Sequence, residues 1–305
     1  MRAAFLGNAP WSVPSLEALA GSRHEVALVV TRDPRPAGRG YRPRPTPVAG
    51  SARRLRLPLV ETPTVRRGRG LEEVRGAEPE VLAVVAYGEI LPAEVLGVPT
   101  VAPVNVHFSL LPALRGAEPV RRAILDGRET TGVTTIRMDE GMDTGPILLQ
   151  AQERIRPDDD AGSLGERLAL VGGRLLVETL DGLAAGTLEE RPQDHRAATL
   201  APKLHPDEEW IDWSEPAQAV IRRVRALAPE PGARTRFRGS VVKVLRATEV
   251  EGKGSPGTVV EPERLVVAAG DQAVALDLVV PEGRRPMDGA SFALGRRPEP
   301  GERLG

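Results

Sequence analysis

An asparagine and a histidine lie two residues apart at the start of NVHFSLLPALRGAEP, residues 105 to 119. Side chains two apart on an extended strand point to the same face, so Asn105 and His107 are expected to project together. An amide N–H can stabilise negative charge that develops on an oxygen, and an imidazole can move a proton. A single histidine at a strand end is nevertheless more often structural than catalytic, and a nearby asparagine changes that balance little.

A second group of polar residues follows in MDEGMDTGPIL, residues 138 to 148, where Asp139, Glu140 and Asp143 crowd one turn. Taken alone, this pattern is typical of an acidic hairpin loop between two strands. Beside His107, a carboxylate from this turn would orient the imidazole. The sequence therefore predicts a catalytic group only if the turn folds back toward the end of the strand.

The first half of the chain contains short apolar runs rich in valine. They lie at residues 2–7, 25–30, 80–87 and 101–107. Such runs are typical of strands buried on both faces, and helix patterns such as SVPSLEALAG, with Ser12 as the predicted N-cap, lie between them. This alternation predicts a Rossmann-like, mostly parallel sheet with helices on both faces. Asn105 and His107 would then emerge at the carboxyl edge, where ligands bind in such sheets. GNAP follows the first run in place of G-x-G-x-x-G, which gives no support for NAD or FAD.

The second half of the chain predicts a smaller, β-rich domain. After a long amphipathic helix at 161–186, polar residues resemble a connector, and short Val-rich runs spaced by Gly and Pro turns are typical of a small β-barrel. A length of 305 residues also favours two domains. The predicted boundaries are a catalytic domain at 1–186, a linker at 187–204 and a barrel domain at 205–305.

Composition restricts the chemistry and the partners. The chain has no cysteine, which excludes a disulfide framework, a thiolate metal site and a cysteine nucleophile. No run is apolar enough for a secretory signal or a membrane span, which favours a soluble cytoplasmic protein. Between Arg32 and Arg69 there are eleven arginines against Asp33 and Glu61, a local charge of +9 in a chain of net charge −1. A polyanion could dock there, although a solvated arginine-rich surface would give the same pattern.

The string NVHFSLLPALRGAEP, followed by TGVTTIRMDEGMDTGPIL, resembles the folate-dependent formyltransferases. In that family an Asn, a His and an Asp form the catalytic set, which the resemblance assigns here to Asn105, His107 and Asp143. It implies 10-formyltetrahydrofolate as co-substrate and no metal. The residues that the resemblance places around the folate are Tyr87, Gly88, Ile90, Leu91, Ser109, Leu110, Leu111 and Pro112.

Within these enzymes, the rest of the chain resembles the methionyl-tRNA formyltransferase family. The matching strings are TRDPRPAGRGYRPRPTPV, VVAYGEILP, IDWSEPA and RALAPEPGARTRFRG. The resemblance implies formylation of the α-amino group of initiator methionyl-tRNA by a monomer with an OB-like, tRNA-binding second domain. It assigns tRNA contacts to Arg35, Arg39 and Arg42, with Arg39 reaching the acceptor stem. Two departures are Ala113–Leu114, where the family often has Arg-Trp, and GNAP in place of G-T-P.

Two alternatives remain on the sequence alone. A sugar-nucleotide N-formyltransferase would share the Asn, His and Asp, but it would lack the R-P-A-G-R-G loop and the strings of the second domain. An RNA-binding protein without catalytic activity would explain the basic segment and the barrel, but it would not require all three catalytic residue types.

Overall fold

The computed structural model describes residues 1–37 and 42–305, and only the backbone at residues 35–37 and 42. The chain forms two compact units. Unit 1 consists of Met1–Pro119, Thr130–Arg154 and Gly165–Pro202, and unit 2 consists of Val120–Glu129, Ile155–Leu164 and Lys203–Gly305. The chain therefore alternates between the two units instead of completing one before it begins the other.

Unit 1 is built on a seven-stranded sheet and a separate two-stranded hairpin. The strands are β1 (Arg2–Gly7), β2 (Glu25–Thr31), the hairpin strands β3 (Arg35–Ala37) and β4 (Arg42–Arg44), β5 (Leu59–Glu61), β6 (Val81–Val85), β7 (Ala102–His107), β8 (Thr130–Arg137) and β9 (Ile147–Arg154). The order across the sheet is β5-β2-β1-β6-β7-β8-β9. Neighbours from β5 to β7 are parallel, whereas β8 and β9 are antiparallel. The predicted mostly parallel, Rossmann-like sheet is confirmed.

Helices lie between these strands, and one follows the last of them. They are α1 (Val13–Ala20), α2 (Pro47–Arg54), α3 (Arg69–Gly76), α4 (Ala93–Leu96), α5 (Pro119–Leu125) and α6 (Ala161–Ala185). Ser12 lies at the N-cap position of α1, as predicted, but its side chain makes no capping bond, because the buried hydroxyl donates to the carbonyl of Val85 on β6 at 2.7 Å. Thr46 does cap α2, since its hydroxyl accepts a hydrogen bond from the amide of Ala49 at 3.0 Å.

Unit 2 contains an antiparallel, barrel-like sheet of six strands. Its elements are α7 (Ala217–Leu227), β10 (Ala233–Phe237), β11 (Ser240–Val250), β12 (Val259–Glu261), β13 (Val266–Ala268), β14 (Ala273–Pro281), β15 (Met287–Asp288) and α8 (Gly289–Arg296). The order is β10-β11-β14-β13-β12, with β15 beside β14. Phe237 of β10 and Phe292 of α8 meet edge to face in its core, with ring centroids 5.6 Å apart. The predicted small barrel of the second half is confirmed.

The end of the chain joins the two outer strands of this sheet. Leu304 forms a bridge with Phe237 at the end of β10, and Arg303 forms one with Thr258 just before β12. The amide of Leu304 donates to the carbonyl of Gly257 at 2.7 Å. Residues 303 and 304 therefore pair backbone groups on both outer strands, and Trp210 forms a further bridge with Arg234 of β10.

Candidate active site

Asn105 and His107 lie at the carboxyl end of β7, where alternation along the strand directs both side chains to one face. The acidic turn between β8 and β9 meets them there. The Asn105 amide nitrogen Nδ2 lies 3.4 Å from Oδ1 of Asp143, and Nδ1 of His107 lies 3.5 Å from Oδ2 of the same carboxylate. The structure thus brings together the three side chains that the sequence singled out, with Asp143 between the other two.

The imidazole of His107 is held from both sides. Its Nε2 lies 2.9 Å from the carbonyl oxygen of Leu114, and a carbonyl oxygen can only accept, so Nε2 carries a hydrogen. Nδ1 is therefore the ring nitrogen at which a proton can be exchanged on the side of Asp143. The His107 side chain is 6% exposed and that of Asp143 is 17% exposed, so the carboxylate is the more accessible member of the pair.

Asp143 occupies a strained position in its turn. Its φ is +56°, in the left-handed region, which aspartate tolerates better than most residues. Two residues later the turn requires glycine, because a Cβ at Gly145 would overlap the carbonyl oxygen of Arg137. Asp139 has a different role, since its Oδ1 accepts hydrogen bonds from the Gly141 amide at 3.1 Å and the Thr144 hydroxyl at 2.6 Å. Asp139 therefore shapes the turn, whereas Asp143 faces the histidine.

The segment from Arg191 to Ala201 frames this site, which the sequence did not predict. Arg191 exchanges two backbone hydrogen bonds with Ile147 at 2.8 and 2.9 Å. Farther along, the carbonyl of Thr199 accepts from the amide of Arg115 at 2.9 Å, and the amide of Ala201 donates to the carbonyl of Arg115 at 2.7 Å. Residues within the predicted linker are thus bonded to both loops of the site. Polar composition gave no signal of this role.

The loop that follows β6 carries half of the predicted folate-binding residues. Tyr87 and Leu91 are buried, whereas Gly88 and Ile90 are exposed, with Ile90 73% exposed. Burial raises the pKa of the Tyr87 phenol, and the Glu89 carboxylate adds to that effect. The exposed face of this loop, from Gly88 to Ile90, is the part that a ligand can reach.

The second predicted folate segment, from Ser109 to Pro112, is closely braced. Ser109 is fully buried, and its hydroxyl donates to the carbonyl of Ala113 at 2.6 Å. Leu111 is also buried, and its carbonyl accepts from the Gln150 amide at 2.9 Å. Leu110 and Pro112 are half-buried, so these two present the accessible side of the segment.

Asn8, part of the GNAP departure, joins three loops at the carboxyl edge of the sheet. Its amide nitrogen donates to the carbonyl of Tyr87. Its amide oxygen accepts from the Thr31 hydroxyl at 2.9 Å and from the Arg32 amide at 2.8 Å. Arg32 in turn donates through Nη2 to the carbonyl of Gly88 at 3.1 Å. One side chain, which the sequence indicated only as an anomaly, therefore links the ends of β1, β2 and β6.

The predicted tRNA contacts lie in the arginine-rich segment after β2. Arg35 lies on β3 and Arg42 lies on β4, and the two strands pair in antiparallel register. Arg39 lies outside the described residues. The hairpin itself was not predicted, because its arginines and prolines give no alternating apolar pattern and proline is depleted in strands.

The described ranges, 1–37 and 42–305, contain no group of three or more His, Asp or Glu side chains arranged to hold a metal ion. Over the same ranges, no helix has the length and apolar character needed to cross a bilayer. The side chains that meet at the end of β7 are an amide, an imidazole and a carboxylate, which together can donate hydrogen bonds to an oxyanion and carry a proton.

Two family models match the chain: Formyl transferase over residues 1–180 and Formyl transferase, C-terminal domain, over residues 203–297. The chain belongs to this formyl transferase family. Within it, the chain is similar to a protein named methionyl-tRNA formyltransferase from Thermus thermophilus, with 46% identity over 100% of this chain and 99% of that protein.

Solved structures share the fold. HypX from Aquifex aeolicus, in complex with tetrahydrofolic acid, superposes with a TM-score of 0.67 at 20% identity; the alignment covers 96% of this chain and 46% of HypX. An N-formyltransferase from Helicobacter canadensis, in complex with folinic acid and dTDP-3-aminofucose, gives a TM-score of 0.67 at 17% identity, over 90% of this chain and 98% of that protein. At such identities the likeness concerns the fold alone.

Proposed function

We infer that this protein transfers a formyl group from 10-formyltetrahydrofolate to the α-amino group of initiator methionyl-tRNA. The observation that carries the inference is the arrangement of Asn105, His107 and Asp143 in a chain that is 46% identical, over its whole length, to a methionyl-tRNA formyltransferase. The product is N-formylmethionyl-tRNA, with tetrahydrofolate as the other product.

The reaction needs a donor for a developing oxyanion. The amine attacks the formyl carbon, the carbonyl electrons move onto oxygen, and the tetrahedral carbon then releases the folate nitrogen. The Asn105 amide has two hydrogens and directs one toward Oδ1 of Asp143 at 3.4 Å. We assign the other to the oxyanion, because a donor fixed in advance costs no reorganisation when charge develops.

The reaction also needs a group that takes the proton from the attacking amine and returns one to the leaving nitrogen. Asp143 is the accessible member of the His107–Asp143 pair and is the group that meets the amine. His107 shares the proton through Nδ1, while Leu114 fixes the other ring nitrogen. The pair therefore acts as one proton relay, in which the imidazole stabilises the carboxylate and the intermediate.

The folate is expected to lie against the two loops at the carboxyl edge of the sheet. A pterin is a flat ring with hydrogen-bonding edges, so it suits exposed backbone beside apolar side chains. The loop after β6 has this character, since Ala86 and Gly88 have φ values of +43° and +74° and Ile90 is exposed. The predicted lining residues thus fall into accessible ones, Gly88, Ile90, Leu110 and Pro112, and buried ones that shape the loops.

The tRNA is expected to be held by the +9 segment and by unit 2. Arginines in the Gly- and Pro-containing segment that includes Arg35, Arg39 and Arg42 suit phosphate contacts and base-edge contacts. Every catalytic side chain lies in unit 1, which leaves the barrel of unit 2 for binding. We further expect the enzyme to work as a monomer in the cytoplasm.

A formylation assay tests the proposal. The purified protein is given radiolabelled 10-formyltetrahydrofolate with charged initiator tRNA in one arm and an amino-sugar nucleotide in the other. Label is expected in acid-precipitable methionyl-tRNA. Label in the sugar nucleotide alone would replace the proposal with the sugar-nucleotide alternative, and label in neither would reject formyl transfer to both acceptors.

A further inference from the structure

Gln193 is a buried side chain in an otherwise exposed stretch. It is 6% exposed, whereas its neighbours from Arg191 to Ala197 lie at the surface. A buried amide without partners would be costly, so its surroundings must supply both donors and acceptors. Its position beside the turn between β8 and β9 follows from the backbone bridge between Arg191 and Ile147, two residues earlier.

The amide of Gln193 uses all of its polar atoms. Its Nε2 donates to the carbonyl of Asp143 at 2.9 Å and to that of Gly145 at 2.7 Å. Its Oε1 accepts from Nε and Nη2 of Arg115 at 3.1 and 2.6 Å. Arginine can only donate and a carbonyl can only accept, so these partners fix the orientation of the amide.

This arrangement closes a ring around the carboxylate. Arg115 is itself 6% exposed, and the next residue, Gly116, donates its backbone N–H to Oδ2 of Asp143 at 2.8 Å. Gln193 thus connects the main chain of the acidic turn to the segment that holds the carboxylate of that turn. Two carbonyls on either side of Thr144 are held by one amide, which orients the peptide planes that follow Asp143 and Gly145, in a turn where Asp143 has a left-handed φ.

We propose that Gln193 is a positioning residue for Asp143 and sets the geometry of the His107–Asp143 proton relay. This inference rests on the proposed function. Gln193 touches neither substrate in it and acts through the backbone of Asp143. Only a side chain with two donors at one end and an acceptor at the other meets these demands, so glutamate, its nearest isostere, cannot replace it.

The test compares two variants with a matched control. Gln193→Glu keeps the size and keeps an acceptor for Arg115, but it faces the two carbonyls with an oxygen. Gln193→Ala removes the side-chain hydrogen bonds to both carbonyls and to Arg115, and leaves room for water to hydrate these groups. Gln152→Glu makes the same change at an exposed position of β9. We expect kcat to fall on the order of 10²-fold in Gln193→Glu, with the KM for 10-formyltetrahydrofolate unchanged. Gln193→Ala is expected to lose less, and Gln152→Glu to match the wild type.

A second readout does not depend on turnover. The imidazole ¹H–¹⁵N signals of His107 are expected to move in Gln193→Glu in the direction seen in Asp143→Asn, and to stay in place in Gln152→Glu. A folded Gln193 variant with wild-type kcat or wild-type His107 signals would overturn the proposal. So would loss of folding in both variants, because Gln193 would then be a structural residue. Failure of the wild type to formylate methionyl-tRNA would instead reject the proposed function. The positioning role of Gln193 would then be tested by the His107 signals alone.

Discussion

The backbone N–H of Gly116 and the carboxylate of Asp143 are joined by a 2.8 Å hydrogen bond. Gly116 has a φ of +123°, and a Cβ there would lie 2.7 Å from the carbonyl oxygen of Ala201. The bond to Asp143 therefore depends on a residue that has no side chain. It explains why glycine follows Arg115 in the ALRG segment.

Replacing this glycine should weaken the site. Gly116→Ala forces either the backbone or the Ala201 segment to move, at a cost of about 1–3 kcal/mol in the free energy of unfolding. We expect a lower melting temperature and a lower kcat, since the donor to Asp143 is displaced. Gly186→Ala is the matched control: Gly186 also has a positive φ, +66°, but a Cβ there would meet nothing within 4 Å. Gly186→Ala should lower the melting temperature and leave kcat unchanged. Equal kcat values for the two variants would contradict this account.

The proposed His107–Asp143 proton relay predicts the effects of two further substitutions. His107→Ala and Asp143→Asn should each lower kcat by about 10²- to 10⁴-fold, the usual loss for a proton-transfer group, and should leave folate binding intact. Steady-state assays with both substrates varied measure this. His205→Ala serves as the control, because the side chain of His205 is 70% exposed. Near-normal turnover in a folded His107→Ala protein would remove the histidine from the mechanism.

The surroundings of His24 predict a pH dependence of folding stability that is separate from catalysis. Its ring lies 3.0 Å from the terminal amine of Met1 through Nδ1 and 3.2 Å from Asp181 through Nε2. Burial lowers the pKa of His24, the terminal amine lowers it further, and Asp181 partly opposes both. Between the folded and the unfolded pKa the unfolded chain binds more protons, so stability falls as the pH drops below about 6.5.

Urea unfolding at several pH values between 5 and 7.5 measures this effect. The wild type should lose stability toward the acid end, and His24→Gln should show a flatter profile over the same range. The substitution leaves every other ionisable group in place, so the contribution of those groups is common to both profiles. Parallel profiles for the two proteins would show that His24 contributes no such linkage.

Substitution of Arg39 tests whether the +9 segment contacts tRNA. A lost base-edge contact costs on the order of 1–3 kcal/mol and relaxes discrimination, whereas a lost phosphate contact weakens all tRNAs alike and reduces the salt slope by about 1. We expect Arg39→Ala to raise the KM for initiator tRNA, to narrow its advantage over elongator methionyl-tRNA, and to leave the folate KM unchanged.

Arg75→Ala is the control for that experiment. Arg75 pairs with Glu94 at 2.7 Å and lies on α3, which leads into β6 and so lies near the amino ends of the parallel strands, away from the edge that carries Asn105. It should behave as the wild type. Equal losses for both tRNAs with a shallower salt slope would make Arg39 a phosphate contact, and no loss for either tRNA would remove Arg39 from the tRNA site.

Side chains set by local periodicity could be predicted from the sequence. The alternation in APVNVH places Asn105 and His107 on one face wherever β7 lies in the sheet, and the resemblance supplied Asp143. Gln193 could not be found in this way. It lies in a polar stretch whose composition predicts a connector, and its role arises from long-range contacts with residues 48 and 50 positions earlier in the chain. The sequence placed Ser12 correctly at the N-cap of α1, but it could not show that a buried carbonyl on β6 takes the hydroxyl in place of a capping bond.

The alternation of the chain between its two units affects how the protein is made. The six segments that form them require five crossings, and residues 120–129 and 155–164 leave the ribosome long before the rest of unit 2. Both early segments contact residues that are synthesised later. Arg122 donates hydrogen bonds of 2.6 and 2.9 Å to Glu208, and Arg225 donates one of 2.6 Å to the carbonyl of Asp159. Folding of unit 2 is thus a late event in synthesis. A truncation after residue 202 would remove the barrel and also leave two segments of the remaining chain without the residues they fold against.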